Sequence, residues 1–158
     1  MRAVADQDLV RQVARDVVAV TAPEELPLVR PMADEFFRGG RGPARGKEDL
    51  LGFGVDTAVV LLTPVVLPVI AFVLDALGER LAEAAVDRGA EQARRVLRAV
   101  LRRGTAAELA AAGDPAPLTG AQLDTVRATA YEKACQLGLE APKADLLADA
   151  VRGALSGA

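Results

Sequence analysis

The 158-residue chain has no histidine, asparagine or tryptophan, and only one serine (Ser156), one cysteine (Cys135) and one tyrosine (Tyr131). Each absence closes a route to chemistry. Without histidine there is no Ser–His–Asp triad, no Cys–His pair and no histidine-containing zinc site. A lone cysteine forms no internal disulfide, which suits a reducing compartment or indifference to redox state. Aromatics make up 3% of the chain, so the core must come from Ala, Val and Leu, residues suited to close helix–helix packing. Net charge is −3 with an isoelectric point near 5.1, so no global basic field gathers nucleic acid. The start, "MRAVADQDLVRQVARD", is charged throughout and lacks an apolar core, so no cleavable signal peptide is expected and the chain is read as not secreted.

What is present is mostly aliphatic. Hydrophobic residues reach 51% and mean hydropathy is +0.22, and one segment accounts for much of that excess. Sixteen arginines against three lysines is the bias of a GC-rich bacterial genome. The length fits one domain, able to bury roughly two-thirds of its unfolded surface.

Apolar spacing predicts an amphipathic helix over 6–20, with Leu9, Val10, Val13, Val17 and Val20 on one face. Thr21 and Glu24 then have capping-box spacing, with Pro23 in the first turn. Pro27 and Pro31 are expected to interrupt any long helix, leaving a short one that ends near Arg38, before Gly39 and Gly40. Residues 1–38 thus form an N-terminal helical region, and 39–47 a Gly/Arg linker. Residues 48–104 carry an apolar helix that continues into a charged amphipathic one. An Ala-rich stretch, 105–117, leads to a C-terminal hairpin over 118–156. There Thr119 and Gln122 form a capping box, Gly138 closes the first helix and Pro142 opens the second. No strand-like alternation appears. The expected fold is all-α: a small bundle with one proline-interrupted apolar helix and a terminal hairpin.

The functional question turns on Thr57–Leu74, "TAVVLLTPVVLPVIAFVL". Eighteen helical residues span roughly 27 Å, at the short end for a bilayer crossing. Leu61, Leu62, Pro64, Val65, Val66, Pro68, Ile70 and Phe72 cover every face, and a helix apolar all round either spans a membrane or is fully buried. The prolines fit both readings. Membrane helices tolerate them, whereas Thr63–Pro64 also reads as an N-cap with a first-turn proline, which splits the segment into two helices too short to span. Flanking Lys and Arg, four before and three after, set no orientation. The sequence tilts toward insertion.

Other motifs have structural readings. Glu79, Glu83, Asp87 and Glu91 form an acidic row, and Arg94, Arg95, Arg98, Arg102 and Arg103 follow it. Acids early and bases late complement the helix macrodipole. The arginines beside an apolar segment also suit anionic lipid or a partner protein. Ala134 and Gly138 have helix-turn-helix spacing, but Asp145 and Asp149 balance Lys143 and Arg152 on the second helix, so nucleic acid is not an expected partner. Cys135 is expected to be a small buried residue. The acidic pairs Asp34–Glu35 and Glu48–Asp49 show no facing geometry for carboxylate catalysis. Together these predict a non-enzymatic protein with no metal and no cofactor. It is read as a membrane-associated anchor, accessory subunit or oligomeric pore component at the cytoplasmic membrane, with a docking hairpin. The alternative is a cytoplasmic helical adaptor whose apolar helix is core or oligomer interface. The expected partners are membrane lipid, a protein bound through the hairpin, and further copies of the chain.

Overall fold

The computed structural model describes residues 7–38, 62–84, 98, 101 and 118–156, with the side chains of all but 81–84. Among them lie five α-helices, one 3₁₀ turn and no strand. The fold is all-α. The Gly/Arg linker 39–47, residues 48–61 with Leu61, the arginines 94, 95, 102 and 103, the carboxylates 87 and 91, and the Ala-rich stretch 105–117 lie outside the described residues.

Helix α1, Gln7–Thr21, buries Leu9, Val10, Val13, Ala14, Val17 and Val18. Val20, expected on that face, is 72% exposed, because it lies in the last turn where no neighbour covers it. The Thr21–Glu24 capping box is absent as well. Thr21 belongs to α1, and its hydroxyl donates to the Val17 carbonyl at 2.8 Å, the local bond a Thr finds inside a helix. The 3₁₀ turn Pro23–Glu25 follows directly.

Helix α2, Leu26–Arg38, runs through both prolines that were expected to interrupt it. Pro27 sits in the first turn, where no intrahelical partner for its N–H exists anyway. Pro31 removes one bond, to the Pro27 carbonyl four residues earlier. Both prolines are exposed, so water can reach the freed group. Val29 and Ala33 face inward. Arg11 ties α1 to α2 through Asp34 at 3.0 Å, and its guanidinium lies 4.9 Å from the centre of the Phe37 ring.

Helix α3, Thr63–Ala84, is the apolar helix. It buries Val65, Val66, Leu67, Val69, Ile70, Ala71, Val73, Leu74 and Leu77. The less covered positions form a strip at four-residue spacing: Pro64, Pro68, Phe72 and Ala76. Pro68 leaves the Pro64 carbonyl without its amide partner, and that side of the helix is the one nearest solvent. The helix continues unbroken past Asp75, so apolar and charged halves share one rod. Among the described residues no helix is long and apolar enough to cross a membrane. Of the apolar stretch 57–74, residues 57–61 lie outside the described residues; in the described part the helix starts at Thr63 and carries charge from Asp75 onward.

Helices α4, Gly120–Gln136, and α5, Ala141–Leu155, form the terminal pair. Thr119 accepts from the Gln122 amide at 3.1 Å and its own amide donates to the Gln122 side chain at 2.8 Å, completing the predicted capping box. At the far end Gly138 has φ 95°. Leu139 N–H reaches the Ala134 carbonyl and Gly138 N–H the Cys135 carbonyl, both at 3.0 Å: a Schellman motif, with Leu139 buried beneath it. Pro142 lies in the first turn of α5, as predicted. Ala130, Ala134, Ala144 and Ala148 are fully buried, and small side chains let two backbones approach closely. The carboxylates Asp145 and Asp149 lie exposed on α5. Both pair with Arg127 of α4, and Arg152 pairs with Asp124.

One continuous core joins all five helices and Leu101. Helix α1 packs against α2, α3 and α5, and α3 packs against α4. Each fully buried Val, Leu or Ile contributes about 1.5–3 kcal/mol.

Candidate interaction surface

The apolar helix is held at its start by a distant residue. Glu25 is only 6% exposed. Its carboxylate accepts from Leu62 N–H at 2.8 Å, from Thr63 N–H at 2.7 Å and from the Thr63 hydroxyl at 2.6 Å. The Leu62 carbonyl accepts from both Val65 and Val66 N–H at 2.9 Å, so Leu62 is the N-cap. The expectation of Thr63 as N-cap is off by one, because the capping oxygens come from another element. A carboxylate at a helix N-terminus satisfies otherwise orphaned amides and lies at the positive end of the macrodipole. No buried side-chain polar atom among the described residues lacks a partner.

With α3 fixed, its outer strip meets α4. Phe72, assigned from sequence to an inserted or core segment, is 46% exposed. The Lys133 ammonium of α4 lies 4.8 Å from the centre of its ring, a cation–π contact. Further along, α3 and α4 border a groove of about 50 Å³. Val73, Leu77 and Val126 make its apolar floor, and Arg80, Gln122, Thr125 and Thr129 make its polar rim. Phe72 beside Lys133, and Arg80 beside Gln122, show that the two helices run antiparallel. The seam thus begins at one cation, Lys133, and ends at another, Arg80. Among the described residues no carboxylate pairs with either.

The volume bears on chemistry. Small-molecule sites occupy roughly 300–1,000 Å³, so a groove of about 50 Å³ takes one or two side chains. Among the described residues no three His, Cys, Asp or Glu converge on a common point. The acidic pair Asp34–Glu35 is divided between Arg11 and Arg38, at 3.0 and 2.9 Å. Glu79, the one member of the acidic row with a described side chain, is exposed.

The sequence-derived candidates fall as follows. Val65, Val66 and Ile70 are buried in the protein core; Leu62, Pro64 and Pro68 are half-buried. Arg98 is half-buried and has a partner interaction. Cys135, expected to be buried, is exposed, because it lies one position round from Ala134, which takes the inward place. One helical turn away, the Tyr131 phenol is pushed above its ordinary value, first by its hydrogen bond to Cys135 and then by the negative charge of that sulfur. Sequence reasoning missed Glu25, Arg80 and Lys133 as members of a site. The four-residue spacing of Phe72, Ala76 and Arg80 was visible, but nothing in the sequence places Lys133 over Phe72.

No protein-family model, curated protein or solved structure matches the chain.

Proposed function

We propose that this protein is a non-enzymatic, water-soluble helical adaptor that works through protein–protein contact, with its apolar helix as bundle core and its terminal hairpin as the docking element. One observation carries the reading. The apolar side chains of α3 are already covered by the chain's own helices, with Val66, Val69, Ile70 and Leu74 fully buried, and the Glu25 carboxylate holds the helix start from inside the fold. Moving α3 into lipid would expose the partner faces of α1 and α4 and strand that buried carboxylate, at a cost of several kcal/mol. Among the described residues, the α3–α4 groove has the size and lining of a side-chain contact.

The test is fractionation of the native, untagged protein, with membranes washed at high salt and then at alkaline pH, alongside a thermal melt without detergent. The expected outcome is recovery in the soluble fraction and one cooperative transition. Retention on membranes through both washes overturns the adaptor reading in favour of an integrated segment. Release by salt alone overturns it in favour of a peripheral lipid contact.

A further inference from the structure

We draw no further inference here: the strongest candidate, the small groove between α3 and α4 floored by Val73, Leu77 and Val126, is an apolar surface patch and nothing in the structure shows what covers it.

Discussion

Glu25 concentrates three hydrogen bonds on one carboxylate, a part-buried one from Leu62 N–H and buried ones from Thr63 N–H and the Thr63 hydroxyl. Removing it strands donors in a site closed to water, and bonds to a charged group are worth about 1.5–3 kcal/mol each, with strong non-additivity. Glu25→Ala is expected to lower stability by about 3 kcal/mol, read as a reduced urea midpoint. Glu25→Gln keeps the volume and one acceptor oxygen, so its loss should be smaller; equal losses would show that charge matters more than shape. Tyr131 offers a clean titration because the chain has no other tyrosine and no tryptophan. Its phenol is raised above 10.0, with the bond to Cys135 as the first cause. A raised value means that the folded state holds the proton more tightly than the unfolded state. The stabilisation is then complete below the ordinary value and is lost as pH rises through the folded one. A tyrosinate absorbance titration should show a midpoint above 10.0, moving down toward it in Cys135→Ala. A midpoint indifferent to that change would remove the thiol as the cause.

At the scale of elements, the terminal hairpin is closed by local signals. Gly138 adopts φ 95°, where a Cβ meets backbone oxygen at a cost of about 1–2 kcal/mol. Gly138→Ala should destabilise by about that amount. Gly153 is the opposite case: it lies within α5, and a Cβ added there has nothing within 4 Å. Gly153→Ala should therefore stabilise by about 0.4–1 kcal/mol, chiefly by narrowing the unfolded ensemble. Both are read from denaturant midpoints, and a same-sign result would contradict the helix assignment at one of them. The ion pairs of Arg127 lie on exposed side chains, where such contacts contribute about 0–1 kcal/mol. They orient the hairpin more than they hold it together.

At the scale of the molecule, stability depends on α3 staying inside. Val66 is fully buried at the centre of the core. Val66→Asp puts a carboxylate there with no partner, a loss large enough to unfold a domain of ordinary stability. The expected measurement is loss of the cooperative melt, and a folded Val66→Asp protein would mean that α3 is not core. Leu74→Ala is the milder probe, expected to cost about 2–5 kcal/mol. The same arrangement explains the open seam. Helix α3 is apolar on more sides than its neighbours can cover, and Phe72 is what remains outside.

Much of this protein was legible along the chain because its signals are local. The Thr119–Gln122 box, the Gly138 stop and the first-turn Pro142 act within four residues of themselves, and they appear where spacing puts them. The all-α character and the buried face of α1 follow from periodicity, which needs no partner to be read. The choice between lipid and protein around residues 63–74 was not legible, since a helix apolar on all sides has the same sequence in either solvent. The burial of that stretch came from contacts between residues far apart: Glu25 reaching Thr63 across 38 positions, and α1, α2 and α4 covering α3. The tolerance of Pro31 was likewise decided by exposure, because water can take the place of a lost backbone bond only where the helix faces solvent. The pairing of Lys133 with Phe72, and with it the candidate groove, exists only because α4 returns antiparallel along α3. Local sequence set the helices and their ends; burial and long-range capping, which depend on where helices meet, decided which faces of the apolar helix are covered.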